Sequence, residues 1–270
     1  STPIKSSAAS DVYKRQSYAS LAESGEIALG DKINVVVPTG NFGNILAAYY
    51  AKKMGLPINK LICASNVNKV LTDFIETGVY DRNRDFYATC SPSMDILISS
   101  NLERLLYMLT DQNDAQIREW FGSLAETGKY EVNDEVKKVL KEEFFGGYCD
   151  DDQTKATISE IYKKYSYTCD THTAVAVKVY EDYKKATGDE TKTLIASTAS
   201  PYKFSASVLE AIEGKKSDLD EYDMVARLAE LSDIPVPSAL ADLKNKERRF
   251  TGSIEKSDMN SYVMKDFGLA

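Results

Sequence analysis

The sequence predicts an α/β protein with an open, largely parallel sheet flanked by helices. A short β-branched run at residues 33–37 precedes a glycine-rich turn and then a segment of good helix formers. A second apolar run at 61–64 completes a β-α-β unit. Between this run and a third one at 193–197, apolar residues recur mainly at helical spacing. Strands that alternate with helices are typical of a largely parallel sheet.

The same patterns predict individual elements along the chain. A helix is expected from Asn44 to Met54, with Gly55 as its C-terminal stop and Pro57 soon after it. The tail after Ile234 is expected to hold one helix, from Ser238 to about Arg249. The remaining predictions are strands near residues 61–64, 86–88 and 193–197 and helices that include residues 102–109, 117–124 and 132–140.

Composition excludes several classes of function. The 270 residues carry a net charge of -8, which disfavours a nucleic-acid or anionic-membrane surface. No apolar run approaches the roughly 18 residues of a membrane helix. His172 is the only histidine, so no multi-histidine metal site is expected. The four cysteines lack C-x-x-C spacing and no signal peptide is evident, which together predict free thiols in the cytoplasm.

The first residues differ in character from the rest of the chain. Residues 6–16 show no hydrophobic period and match the in-frame translation of a transposase adapter used in sequencing libraries. We therefore predict that residues 1–16 are an adapter-derived, disordered segment, with a natural disordered leader as the alternative. The genuine sequence is expected to start at Ser17 and to be part of a longer reading frame.

The turn between residues 37 and 44, V-P-T-G-N-F-G-N, carries the sharpest chemical signal. It lies where a strand ends and a helix begins, so backbone N–H groups there are unpaired and point along the helix axis. Glycine permits positive φ angles and close approach, while Thr39, Asn41 and Asn44 offer side-chain donors. The spacing fits neither a Walker loop nor a dinucleotide fingerprint. Phosphate binding is favoured over a tight turn that needs glycine only for its geometry.

Other polar residues are ambiguous on their own. Thr198 follows an apolar run, where it could face a ligand or simply bond to the backbone, and the residues alone favour the second role. A lone histidine such as His172 is more often structural than catalytic. Ser91, Ser93 and Asp95 could contact a substrate or turn the chain. Lys203 could bind a substrate phosphate or remain an ordinary surface lysine.

Seven motifs occur in order along the chain. They are G-D-K-I-N-V-V-V-P-T-G-N-F-G-N-I-L-A-A-Y-Y-A-K-K-M-G-L-P ending at Pro57, A-S-N-V-N-K-V-L from Ala64, S-P-S-M-D-I from Ser91, S-S-N-L-E-R-L-L from Ser99, D-T-H-T-A-V-A from Asp170, S-T-A-S-P-Y-K-F from Ser197 and R-R-F-T from Arg248. Taken together they resemble the motifs of threonine synthases, which are tryptophan-synthase-β-like pyridoxal-phosphate enzymes of fold type II. The resemblance spans Ser17 to Leu269.

The resemblance implies that pyridoxal 5'-phosphate is the cofactor. Its phosphate would be held by Thr39, Gly40, Asn41, Phe42, Gly43 and Asn44. Thr198 would contact the pyridine nitrogen, whereas many family members carry histidine where this chain has Ser200. Candidate substrate contacts are Ser91, Ser93, His172 and Lys203, and His172 is not expected to be the base.

The implied reaction converts O-phospho-L-homoserine and water to L-threonine and phosphate, a lyase step of threonine biosynthesis. The lysine that forms a Schiff base with the cofactor is expected upstream of Ser17, because only Lys32 lies between Ser17 and Thr39. Residues 17–270 would then be the C-terminal part of the catalytic domain, inactive alone. The alternatives are another fold-type II enzyme, such as a dehydratase or cysteine synthase, or a non-catalytic phosphate-binding domain.

Overall fold

The computed structural model describes residues 7–232, 234–247, 249 and 251–269. The chain divides into two compact units, Ser1–Pro235 and Val236–Ala270, and the first contains both sheets. None of the described helices combines the length and hydropathy needed to cross a membrane. The helices are α1 (Ser7–Glu23), α2 (Gly43–Lys53), α3 (Val70–Thr77), α4 (Leu102–Leu109), α5 (Asp114–Thr127), α6 (Asp134–Glu143), α7 (Asp151–Tyr165), α8 (Thr171–Thr187), α9 (Ser205–Glu213), α10 (Glu221–Leu231), α11 (Ser238–Ala241) and α12 (Met259–Asp266).

The main sheet has four parallel strands in the order β5-β2-β1-β6. The strands of the chain are β1 (Ile33–Pro38), β2 (Ile58–Ser65), β3 (Val79–Asp81), β4 (Lys129–Glu131), β5 (Phe144–Tyr148) and β6 (Thr193–Ile195). Because all four strands of the main sheet run the same way, the segments that follow them gather at one edge. The predicted α/β class with a largely parallel sheet is therefore confirmed.

Helices cover both faces of this sheet. Every residue of β1 is buried, as expected of a central strand between two helical layers. On one face Val35, Val37 and Cys63 join a core with the apolar side of α2. On the other face Val36 and Ile62 pack with residues of α8. Alternate residues of β1 and β2 thus stabilise opposite layers.

A small antiparallel pair, β3 and β4, forms a separate sheet beside α3 and α5. Its centre is Tyr80 stacked on Tyr130, with ring centroids 5.3 Å apart. Phe74 from α3 and Trp120 from α5 pack around this pair. Each strand is only three residues long, too short for a periodic pattern to show in the sequence.

The structure confirms some predicted elements and corrects others. The expected helix from Asn44 is α2, and the apolar run at 61–64 lies in β2. The strand predicted at 86–88 is wrong. That segment is exposed, and Asn68 satisfies both the N–H and the carbonyl of Tyr87 in place of a neighbouring strand.

The long tail helix is also wrong. The second unit instead contains α11, a short 3₁₀ turn at Leu243–Asn245 and α12, and residues 248 and 250 lie outside the described residues. Neither α11 nor α12 has a buried residue. A helix without a packed face is only marginally stable, which accounts for the shorter elements.

Residues 1–16 were expected to be disordered, but α1 begins at Ser7 and includes the second part of this segment. Residues 1–6 lie outside the described residues. Tyr18 anchors the helix, because its buried hydroxyl donates to the Asp31 carbonyl and accepts from the Gly30 amide. Once the part after Ser17 is anchored, adding helical turns N-terminal to it costs little. The adapter origin of this segment stays a prediction.

Two glycines should respond oppositely to replacement by alanine. A Cβ on Gly146 would lie 2.9 Å from the backbone Cα of Thr72, so Gly146→Ala should destabilise the fold by roughly 1–3 kcal/mol through overpacking. Gly122, inside α5, has open space around it, and Gly122→Ala should raise stability by up to ~1 kcal/mol. Urea unfolding of both variants measures this contrast, and equal effects would contradict the close packing of α3 on β5.

Candidate functional site

The candidate site begins in the turn that leads from β1 into α2. The Thr39 amide still belongs to the sheet, because it donates to the Ala64 carbonyl at 2.8 Å. From Gly40 to Ile45, no backbone N–H donates a hydrogen bond within the described part of the chain. Asn41 is exposed and Gly40 half-buried, so a ligand can reach this run of amides. Unpaired amides at a helix N-terminus form a binding site for anions.

The turn enters α2 through a left-handed residue, Phe42, with φ 63°. The expectation that glycine supplies the positive φ angles is wrong here, because neither Gly40 nor Gly43 has one. A left-handed non-glycine residue costs ~1–2 kcal/mol. The Phe42 ring is buried 6.0 Å from the Phe144 ring, and this packing offsets the strain. Phe42 therefore offers only its backbone to a ligand.

The N-terminus of α2 also lacks a side-chain cap. Five other helices in the described part of the chain have an Asn or Asp whose side chain accepts from a first-turn amide, whereas α3, α4 and α9 lack a side-chain cap as α2 does. These capped helices are α5, α6, α7, α8 and α10. Because no such acceptor occupies the start of α2, its partial positive charge remains available to an anionic ligand.

A second loop, residues 91–101, supports the turn from one side. A Cβ on Gly40 would lie 2.4 Å from the Ser93 carbonyl oxygen, so only glycine permits this approach. The Ser99 hydroxyl donates to the Gly40 carbonyl at 2.9 Å. The Asn101 side chain donates to the Asn41 carbonyl at 2.8 Å. The turn's carbonyls are thereby held on the protein side, while its amides remain unpaired.

Asp95 ties the second loop to the residues that precede it in the chain and to the residues that follow β2. Its carboxylate accepts from the side chains of Asn66 at 2.7 Å and Asn68 at 3.2 Å. It also accepts from the Thr89 amide at 2.9 Å and the Thr89 hydroxyl at 2.7 Å. A carboxylate with this many donors fixes the loop strongly, because bonds to charged acceptors are the stronger ones.

The structure gives the two candidate serines of this loop different positions. Ser91 is fully buried, and its hydroxyl accepts from Asn66 at 3.1 Å. Ser91 thus supports the loop from inside. Ser93 is exposed beside the glycine turn, and its hydroxyl can meet a bound molecule.

His172 is buried at the start of α8 and already engaged. Its Nε2 accepts from the Ser93 amide at 3.1 Å, so the proton of the neutral ring sits on Nδ1. That nitrogen lies 3.4 Å from the Asp170 carboxylate. Burial raises the pKa of Asp170, but bonds from His172 and Thr173 outweigh burial and hold the pKa below its usual range. His172 therefore positions the second loop through the Ser93 amide, and its Nε2 is unavailable as a base.

The last two predicted residues lie beyond β6. Thr198 is exposed, and its hydroxyl makes no hydrogen bond within the described residues. The exposed Lys203 ammonium lies 5.3 Å from the Phe204 ring centroid. The Phe204 ring lies 4.8 Å from the His172 ring, so this segment adjoins α8 and through it the Ser93 loop.

Asn44 contacts residues that the sequence analysis assigned to the adapter. Its Oδ1 accepts from the Lys14 ammonium at 2.8 Å and from the Tyr13 hydroxyl at 2.9 Å. Lys14 is buried, and burial lowers the pKa of its ammonium to about 8. An amine therefore lies beside the start of α2, which the sequence analysis did not predict.

Two further features concern the metal-ligating side chains and the cysteines in the described part of the chain. No group of three or more His, Cys, Asp or Glu residues there could hold a metal ion. The four cysteines found in it are free. Burial raises the thiol pKa of Cys63 and Cys169 to about 12, so both stay protonated at neutral pH.

The sequence analysis left open whether Asp95 contacts a substrate or turns the chain, and the structure gives it the second role. The other residues that hold the two loops together were missed, and these are Asn66, Asn68, Ser99 and Asn101. They occur in the A-S-N-V-N and S-S-N motifs, so the signal was a set of asparagines next to predicted strand and helix ends. Such residues favour local side-chain-to-backbone bonds, which is the bonding that the structure shows.

Comparison with known proteins points to one family. A family model described as "Threonine synthase, C-terminal" matches residues 173–262. The human protein named threonine synthase-like 1 is 37% identical over 251 residues, covering 92% of this chain and 33% of the relative. Threonine synthase of Saccharomyces cerevisiae is 39% identical over 208 residues, covering 72% of this chain and 40% of that enzyme.

Solved structures agree with this match. A PLP-bound threonine synthase from Brucella melitensis has a TM-score of 0.79 and 33% identity, and the match covers 96% of this chain and 50% of that one. Yeast threonine synthase has a TM-score of 0.73 and 32% identity, with 88% of this chain and 48% of that one covered. The chain thus spans half or less of the length of these proteins.

Replacing Asp95 by asparagine should loosen the second loop. Asp95→Asn keeps the size but sets an NH₂ group against the donors of Asn66, Asn68 and Thr89. We expect a loss of roughly 1.5–3 kcal/mol in the free energy of urea unfolding. Asp85→Asn is the matched control, because it makes the same chemical change at an exposed position on the segment that leads into the second loop. Equal stability of the two variants would show that the Asp95 bonds contribute nothing.

Proposed function

We propose that this chain, which corresponds to the C-terminal portion of the threonine synthases, binds the phosphate group of pyridoxal 5'-phosphate. The observation that carries this proposal is the run of unpaired amides from Gly40 to Ile45 at the uncapped start of α2. A phosphate monoester is a compact dianion with several acceptor oxygens, which is the ligand such an N-terminus favours. The residues present therefore fit the group.

The other end of the cofactor would lie toward Thr198. Thr198 follows β6 and the glycine turn follows β1, and these neighbouring parallel strands end at the same edge of the sheet. The unpaired Thr198 hydroxyl would bond to the pyridine nitrogen without enforcing a full positive charge on the ring. When bound, the cofactor supplies an electron sink for the carbon atoms of an amino-acid substrate.

The substrate would approach from the side of the second loop. The exposed Ser93 hydroxyl and the Lys203 ammonium are the candidate contacts, and Lys203 supplies a cation for a substrate phosphate. His172 keeps its proton on Nδ1 and accepts a hydrogen bond from the Ser93 amide, so it orients the second loop on the substrate side. Ser91 and Asp95 fix the loop from inside.

For the whole protein we propose the threonine synthase reaction, in which O-phospho-L-homoserine and water give L-threonine and phosphate. This proposal is supported by the sequence matches to the human relative, which cover 92% of this chain, and to the yeast enzyme, which cover 72% of it. The competing proposals are a dehydratase or cysteine synthase of the same fold, and a phosphate-binding domain without catalysis.

A charge added at the start of α2 should weaken cofactor binding. A Cβ on Gly43 meets only Asn101 Nδ2 at 3.5 Å, so Gly43→Asp fits, and aspartate in a first helical turn favours the helix. Its carboxylate should repel the phosphate and raise the dissociation constant for pyridoxine 5'-phosphate at least roughly tenfold in titration calorimetry. Gly43→Asn, similar in size but neutral, should bind more tightly than Gly43→Asp. Equal affinities of Gly43→Asp and Gly43→Asn for the probe would show that its phosphate does not bind at this turn.

The reaction is tested on the complete protein that carries this sequence. We expect phosphate release from O-phospho-L-homoserine with formation of threonine, and no turnover of serine or threonine. Lys203→Ala should raise KM for the phosphorylated substrate with little change in kcat, because it removes binding rather than chemistry. Turnover of serine or threonine would favour the dehydratase, and no turnover at all would favour the non-catalytic domain.

A further inference from the structure

We propose that the hydroxyl of Ser65, the last residue of β2, is a further donor to the phosphate held by the glycine turn. This inference rests on the proposed function, because it adds a ligand to the same site. Ser65 is 2% exposed, and its Oγ has no hydrogen-bond partner in the described structure. A buried hydroxyl without a partner costs ~1–3 kcal/mol, so such a group calls for a physical explanation.

The sheet register places Ser65 beside the glycine turn. Ala64 pairs with Pro38, and the Thr39 amide donates to the Ala64 carbonyl at 2.8 Å. Ser65 and Thr39 are therefore neighbours at the carboxyl ends of adjacent parallel strands, where ligands of such sheets gather. Thr39 begins the turn whose following amides are unpaired.

The Ser65 side chain faces the layer that contains α2. Side chains alternate along a strand, and Cys63 belongs to the core formed with α2, whereas Ile62 and Ala64 belong to the opposite core. Ser65 therefore shares the side of Cys63. On that side the Cys63 thiol is fully buried and its pKa is raised to about 12, so it stays protonated and offers the hydroxyls of Thr39 and Ser65 only a weak sulfur contact. Thr39 already donates to the Val37 carbonyl at 2.7 Å, so Ser65 is the hydroxyl without an oxygen or nitrogen partner.

Two helices begin on this side of the sheet next to Ser65. α2 follows the glycine turn, and α3 starts at Val70, shortly after Ser65 in the chain. Neither has a side-chain hydrogen bond at its N-cap. An anion bound at the glycine turn would satisfy the α2 amides and the Ser65 hydroxyl together, which explains why the chain leaves both unpaired.

The test compares Ser65→Ala with the unmodified chain by titration calorimetry with pyridoxine 5'-phosphate. This probe has no aldehyde, so Lys14 and the surface lysines do not react with it. Ser65→Ala should raise the dissociation constant roughly tenfold, the effect of losing a bond to a charged acceptor. Binding of pyridoxine, which lacks the phosphate, should not change. The melting temperature of the free variant should not fall, because no bond within the protein is lost.

Tyr130→Phe is the matched control, because it also deletes an unpartnered buried hydroxyl, but one in the aromatic cluster of β3 and β4. It should bind the probe as the unmodified chain does. Unchanged affinity in Ser65→Ala, with binding still weakened in Gly43→Asp, overturns the role of Ser65 and leaves the proposed function standing. A lower melting temperature with unchanged affinity identifies Ser65 as a structural residue. No binding by the unmodified chain overturns both proposals.

Discussion

The candidate site depends on the close approach of Gly40 to the Ser93 carbonyl, which leaves no room for a Cβ. This contact brings the turn after β1 against the second loop, and bonds from Ser99 and Asn101 then hold the carbonyls of the turn. Because those carbonyls point into the protein, the amides of the same peptide units point away from it. This arrangement accounts for the unpaired amides of Asn41 and Phe42, whereas those of Gly43 to Ile45 are unpaired because they begin α2. A larger residue at position 40 would separate the two loops and disturb every contact at this edge of the sheet.

The polar groups around the turn divide into those that are satisfied and those that are not. Asp95, Ser91, Asp170 and His172 all bond within the protein, and they hold the second loop and the start of α8 in one arrangement. The turn amides, Thr198 and Ser65 are left without partners in the described structure. Rigid support around unpaired donors is how proteins preorganise a site, because no ordering cost remains when the ligand binds.

The segment before Ser17 contributes a buried side chain next to the candidate site. Tyr18 is anchored by Asp31 and Gly30, and α1 extends back from it to Ser7. The extension places the Lys14 ammonium on Asn44, at the positive end of α2. Burial lowers the pKa of the Lys14 ammonium to about 8, although the nearby Asp11 carboxylate opposes the shift. An anion bound in the glycine turn would also oppose it, because a nearby negative charge favours the protonated amine.

The sequence alone determined the β1–α2–β2 unit, the glycine turn and the order of the site motifs, because periodicity and turn chemistry are local properties of short segments. It could not show that Phe42 rather than a glycine takes the left-handed conformation, since packing against Phe144 decides that. Nor could it separate Ser91 from Ser93, or find the acceptor role of His172 Nε2, because that nitrogen meets an amide 79 positions away along the chain. Only the tertiary structure brings such distant residues together, and burial then selects which polar groups are paired within the protein and which remain for a ligand.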